Sequence, residues 1–283
     1  MQRLRLWLET IKVSHSVFAL PFALMGAFLA ADGAPGWRVA GWTVVAAVAV
    51  RTAAMTFNRL VDRRFDAANP RTAARALATG AIAPGEAWAV VTVSIALFVA
   101  ACAMLNPTTL LLAPAVLLLT LGYSLAKRFT ALAHLVLGAA LSLAPLGGWA
   151  AAGGSLAGYP VVLSAAVLLW VAGFDVVYAC LDDAFDRSAG LHSIPARLGR
   201  PAALRLARLF HLLAFAGFAW VGRRFGLGAP YAVGLVAAGL ALAYEHAIVS
   251  PRDLSRLQVS FLTMNGLVSA ALFAATWVSL AAH

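Results

Sequence analysis

Apolar runs near the length of a bilayer-crossing helix recur along almost the whole chain, and nothing else in the sequence limits the fold as much. A spanning helix needs roughly 20 consecutive, mostly apolar residues, and about nine stretches come near that length. They are Val17 to Ala31, Val39 to Phe57, Trp88 to Met104, Leu110 to Tyr123, Leu132 to Ala152, Val161 to Cys180, Leu204 to Val221, Pro230 to Ile248 and Ser260 to Leu280. Soluble domains carry roughly 25% charged residues; this chain has 11%, with 63% hydrophobic, too little polar surface to face water. The expectation is an all-α, polytopic membrane protein, one domain over residues 1–283, with its helices around a central cavity. Residues 1–14, where Arg3, Arg5, Glu9 and Lys12 alternate with Leu4, Leu6, Trp7, Leu8 and Ile11, read as an amphipathic helix on the membrane surface rather than a cleaved signal.

The net charge of +10 does not point to nucleic acid. All Lys and Arg except Arg38, Arg51, Arg223 and Arg224 fall in the N-terminal stretch or on the side reached after spans two, four, six and eight. That asymmetry is the positive-inside pattern, so the N-terminus is expected in the cytoplasm and the C-terminus outside. Cys102 and Cys180 lie in or beside apolar spans, with no CxxC spacing to suggest redox or zinc chemistry.

Acidic residues are scarce, so their placement is informative. Of 11, six lie in two segments, Asn58 to Asp66 and Asp175 to Asp186. Asp62, Phe65 and Asp66 recur as Asp182, Phe185 and Asp186, each displaced by 120 positions, with Tyr178 where Asn58 stands. The chain therefore reads as two pseudo-repeated halves, and both segments follow an even-numbered span, on one face. If each helix runs on through its segment, Asn58, Asp62 and Asp66 share one stripe, and Asp175, Tyr178, Asp182 and Asp186 another.

A carboxylate near a bilayer costs roughly 2.5 to 3.5 kcal/mol at the helix centre, and clustered acids repel. A divalent cation answers both problems. Oxygen ligands without His or Cys suit Mg²⁺, which bridges carboxylates to a substrate's phosphates, so Asn58, Asp62, Asp66, Asp182 and Asp186 are the candidate ligands. The competing reading pairs these acids with Arg63, Arg64 and Arg187 as solvated loop charges. Residues 58–80 and 180–200 are then the active-site segments, and Arg71, Arg75, Lys127, Arg128 and Arg197 stand where they would contact a diphosphate. Arg51, two turns before Asn58, faces the cavity either as a partner of an acid such as Asp175 or as the contact for an acceptor's carboxylate. His15, His134 and His211 read as packing or interfacial residues, and Glu245 with His246 as a local polar pair. A transporter is the reading from a different class; it expects acids spread through the membrane depth.

The motifs Asn58-x-x-x-Asp62-x-x-x-Asp66, Lys127-Arg128 after Tyr123, and Asp175-x-x-Tyr178-Ala179-x-x-Asp182-x-x-x-Asp186, with about nine spans, resemble the UbiA superfamily of intramembrane prenyltransferases over nearly the whole chain. His15 to Phe22, Phe57 to Asp62 and Gly190 to Pro195 resemble its 4-hydroxybenzoate polyprenyltransferase group, including the branch serving menaquinone made through futalosine. The sequence departs at Arg59, where many relatives carry Asp, and at Ala76, where many carry Pro. The resemblance implies Mg²⁺-dependent transfer from a polyprenyl diphosphate to an aromatic carboxylate acceptor, for ubiquinone or menaquinone, in a bacterial inner membrane. Asp175 and Tyr178 are the catalytic candidates, to orient the phenol or shield the allylic cation, with Asp175 the choice for favouring phenolate, and the long apolar tail needs a lateral opening between helices to lipid; no nucleic-acid partner is expected. A haem or chlorophyll prenyltransferase is the alternative within the superfamily.

Overall fold

The computed structural model describes residues 2–12, 18–156, 159–257 and 260–282, and these are helical with no strand. In chain order the elements are α1 (Gln2–Thr10), α2 (Leu20–Ala31), α3 (Trp37–Val61), α4 (Arg63–Ala68), α5 (Pro84–Leu105), α6 (Pro107–Ala126) and α7 (Ala133–Ala151). They continue as α8 (Tyr159–Ala179), α9 (Asp183–Ser188), α10 (Ile194–Leu198), α11 (Arg200–Arg224) and α12 (Gly228–Ile248), then a π-helical turn (Ser260–Met264) that leads into α13 (Asn265–Ala281).

Eight helices are long and apolar enough to cross a membrane: α3, α5, α6, α7, α8, α11, α12 and α13 with the end of its π turn. Each matches an apolar run of the sequence. The first run falls short, because α2 has 12 residues and rises only roughly 18 Å, against a hydrocarbon core of roughly 30 Å. So α2 is a partial span, and residues 13–17, with His15, lie outside the described residues.

Local chemistry sets the boundaries. Proline occupies the first turn of α2, α5, α6 and α11, where its missing N–H costs nothing. Asn106 separates α5 from α6 with a reciprocal capping box shared with Thr109. Its amide also donates to the carbonyls of Ala150 (2.8 Å) and Ala151 (3.2 Å), tying this corner to the end of α7. Two further helices meet α7 almost backbone to backbone. A Cβ on Gly26 of α2 would overlap the Pro145 carbonyl, one on Gly148 would overlap that of Ala23, and one on Gly138 would overlap that of Leu168 in α8.

The main core joins α2 to the second half, where Phe18, Phe22, Trp170, Phe174 and Phe218 interlock with buried residues of α12 and α13. The first half stays open. Between α2, α3, α5, α6, α7 and α8 lies a cavity of about 990 Å³, whose apolar walls are mainly Ala and Leu with Phe and whose polar end carries the two acidic segments.

Candidate active site

Both segments are built on one backbone plan. The spanning helix stops short of an aspartate with non-helical dihedrals, Asp62 (φ −92°, ψ 1°) and Asp182 (φ −110°, ψ 3°), and a six-residue helix starts immediately after each. The fourth residue on, Asp66 or Asp186, donates its N–H back to the carbonyl of that first aspartate at 2.8 or 2.7 Å. The straight ladder expected from the spacing of four is therefore bent at its middle rung in both halves. Asn58, Asp62, Asp66, Asp175, Tyr178, Asp182 and Asp186 nevertheless all line the same cavity.

Each acid meets a cation supplied from elsewhere in the chain. Asp62 accepts from Arg128 (3.1 Å) and from the Asn58 amide (3.0 Å), whose oxygen accepts in turn from Arg59. Asp66 accepts from Arg75 at 2.6 Å. Asp182 takes both sides of the Arg71 guanidinium, Nε at 2.8 Å and Nη2 on the other oxygen, plus the Asn69 amide at 2.9 Å. Lys127 lies 3.7 Å from Asp186. Arg71, on the first-half loop, thus closes on the second-half acid, and the neighbours Lys127 and Arg128 divide between the halves. The loop pairing with Arg63 and Arg64 weighed from the sequence is not what these acids adopt; Arg187, with Arg200, holds Asp183, which does not line the cavity.

The electrostatics of the two segments differ. Burial pushes the Asp62 carboxyl above its ordinary value, and the Arg128 hydrogen bond opposes this without overcoming it. Burial acts the same way on Asp182, but the hydrogen bonds and charge of Arg71, with Asn69, outweigh it and hold this carboxyl below its ordinary value. The Arg71 guanidinium is raised: burial would lower it, and the contacts to Asp182 and Tyr178 prevail.

The remaining expected residues separate. Arg51 lines the cavity, donates to the Lys12 carbonyl at 3.2 Å, and has a buried Nε without a hydrogen-bond partner; it does not pair with Asp175. Tyr178 packs on Phe261 at a tilt of 38° (4.4 Å between ring centroids) and accepts from Arg71 at 3.0 Å. Arg197 is exposed and off the cavity wall, so the structure does not bring it to the site. Glu245 and His246 do not pair either: Glu245 accepts from Asn265 (3.1 Å), and His246 meets His211 (2.9 Å), because adjacent residues on a helix point in different directions. Sequence reasoning missed Asn69 and His134. Asn69 follows Asp66 by three, a spacing that could have flagged it; His134, buried and 2.6 Å from Asp175, had no sequence signal at metal-ligand spacing.

The donor set suits a hard cation. Among the described residues no three carboxylate, His or Cys side chains surround one point, since the acids are turned toward cations. Asp186 Oδ2 is buried and makes no hydrogen bond, with Lys127 only as near as 3.7 Å, so it is an oxygen that a metal ion would satisfy. Mg²⁺ carrying a diphosphate fits this arrangement, because it offers oxygen ligands a cation and the displaced guanidinium groups an anion.

A curated relative from Saccharophagus degradans, a 4-hydroxybenzoate octaprenyltransferase, is 35% identical over 245 residues, 86% of this chain and 81% of its own length. The apo structure of a UbiA homologue from Aeropyrum pernix K1 is 38% identical, covers 94% of this chain and 98% of its own, and superposes with a TM-score of 0.86. The UbiA homologue from Archaeoglobus fulgidus bound to DMAPP and Mg²⁺ shares the fold (TM-score 0.77, 98% and 99% coverage) at 21% identity. With the model of the UbiA prenyltransferase family matching residues 19–276, the chain belongs to that family.

Proposed function

We propose that this enzyme transfers a polyprenyl chain from its diphosphate to an aromatic carboxylate of the 4-hydroxybenzoate type, in quinone biosynthesis, with its charged cavity mouth and N-terminus on the cytoplasmic side of a bacterial inner membrane. The observation that carries this reading is the convergence of acids and cations from both halves on the polar end of one apolar chamber. Relatives named 4-hydroxybenzoate octaprenyltransferase support the acceptor class, and the homologue bound to DMAPP and Mg²⁺ supports the donor chemistry.

Residues 58–80 and 180–200 form the diphosphate end. Asn58, Asp62, Asp66, Asp182 and Asp186 would hold Mg²⁺, which when bound supplies positive charge to a departing diphosphate. Arg71, Arg75, Lys127 and Arg128 shift from carboxylates onto the diphosphate oxygens and stabilise the same charge. As the allylic C–O bond breaks, its electron pair leaves with the diphosphate. The ring carbon beside the acceptor's hydroxyl then forms the new C–C bond, and its proton passes to the released diphosphate. Arg51, with its unpartnered Nε, takes the acceptor's carboxylate, and Asp175 accepts from the phenol and draws it toward phenolate. Tyr178 and Phe261 place aromatic faces beside the reacting carbon, where they shield the cation. The walls of Ala, Leu and Phe exclude water and house the tail.

Two alternatives fit less well. The cavity's acids gather at one mouth instead of spanning the depth, unlike an ion pathway, and relatives named 4-hydroxybenzoate octaprenyltransferase support a small carboxylate over a macrocycle. Membranes carrying the full chain, given labelled prenyl diphosphate and separate acceptors, test the assignment. Labelled product is expected with 4-hydroxybenzoate and none after EDTA; product formed only with a haem or chlorophyll precursor overturns the acceptor class.

A further inference from the structure

His134 has no role above, yet it joins Asp175 to the backbone of Ile194. His134, at the start of α7, is fully buried, and its Nδ1 stands 2.6 Å from Asp175 Oδ2. Its other ring nitrogen, Nε2, accepts the Ile194 backbone N–H at 3.2 Å. A nitrogen that accepts carries no proton, so in a neutral imidazole the proton must sit on Nδ1 and point at the carboxylate.

Three local features create this relay. Ser193 caps α10 by accepting from the Ala196 N–H, which leaves the Ile194 N–H as one of the helix's first donors without an intrahelical acceptor. Pro195 follows with no N–H of its own. Gly138, one turn beyond His134, lets α7 touch the backbone of α8, bringing the imidazole within reach of Asp175.

Asp175 also differs from the four segment acids. They face Arg or Lys, whereas among the described residues its ion-pair partner is this histidine alone. A neutral donor fixes the carboxylate's orientation without cancelling its charge, and Oδ1 accepts no hydrogen bond among the described residues. We infer that His134 is a positioning residue: it holds Asp175 by one oxygen, through a tautomer set by the Ile194 amide, and leaves the other oxygen charged and aimed at the acceptor. This rests on the proposed role of Asp175 toward the phenol.

Two substitutions separate the histidine's two bonds. His134→Asn keeps a donor near Nδ1 and loses the acceptor for Ile194; His134→Gln keeps an acceptor near Nε2 and loses the donor to Asp175. With labelled donor and 4-hydroxybenzoate, His134→Gln is expected to lower kcat roughly 10- to 100-fold, the effect of losing a hydrogen bond to a charged group. The donor's KM should stay within about 2-fold and His134→Asn should retain kcat within about 3-fold, each less than the loss of one such bond. In an Asp175→Asn background, His134→Gln should add less than about 2-fold, because the two act as a unit. The reverse ranking of Asn and Gln, or an undiminished loss in the Asp175→Asn background, overturns the inference and marks His134 as a support for the Ile194 segment. If the variants fail to insert, ¹⁵N-histidine spectra of the wild-type chain decide: the ring nitrogen coupled to the Ile194 amide is expected to be unprotonated, and a protonated nitrogen there refutes it. Wild-type protein that transfers no prenyl group to the aromatic acid would instead fail the functional reading itself.

Discussion

The segments around Asp62 and Asp182 share a bend, a short helix and a returning N–H, but they carry charge in different ways. Asp182 sits in the full grip of Arg71 and Asn69 and is held below its ordinary value; Asp62 has one oxygen on Arg128, the other on an amide, and burial prevails. Duplication of a backbone plan thus places two carboxylates alike, while the cation each meets decides how it behaves: the loop between α4 and α5 delivers Arg71 to Asp182 in the distant half, and Asp62 meets Arg128.

The comparison breaks if the two halves do not serve one ligand. Asp62→Ala and Asp182→Ala, each verified as inserted, are both expected to reduce prenyl transfer by at least about 10²- to 10³-fold, since each removes charge-stabilising contacts to the leaving group. Near wild-type turnover in either would show that one segment works alone.

A smaller effect sharpens the electrostatic contrast in metal-free, ligand-free protein. A carboxyl whose folded value lies below the ordinary 3.8 supports the fold above that value and withdraws the support as pH falls through the lowered one. One raised above 3.8 opposes the fold once ionised, as pH rises through the raised value. At pH 7, therefore, Asp182→Asn should lower Tm and Asp62→Asn should raise it, each by about 2–4 °C, the shift of ~1 kcal/mol in a chain of this size. Thermal unfolding of the solubilised variants reads both signs, and equal signs would erase the distinction.

The smallest effect belongs to Arg197, which follows the second segment in sequence but stays away from the cavity. Arg197→Ala should leave kcat/KM within about 3-fold, as exposed substitutions do. A large rise in the donor's KM would bring it into the site.

Much of this was legible in the sequence, for a physical reason: a bilayer leaves few options to a run of 20 apolar residues, so all eight long helices could be read from such runs. The acids and their cations were legible because charge is rare in such a chain and must be used. What stayed hidden depends on three-dimensional approach. A spacing of four fits a straight helix and one bent at Asp62 equally well. Arg197 and Arg71 look alike as basic residues after an acidic segment, and only loop geometry separates them. His134 carries no spacing signal at all, since its partners Asp175 and Ile194 are 41 and 60 residues away.

Where Gly26, Gly138 and Gly148 lie, α7 is fused to α2 on one flank and to α8 on another, with peptide groups rather than side chains forming the joint. Such joints cannot widen without breaking the glycine-to-carbonyl contacts that close them. They make α2, α7 and α8 one stiff wall of the cavity, while the outer faces of α5 and α6 expose Val93, Leu111 and Leu118, apolar side chains of the kind a membrane-spanning helix turns outward.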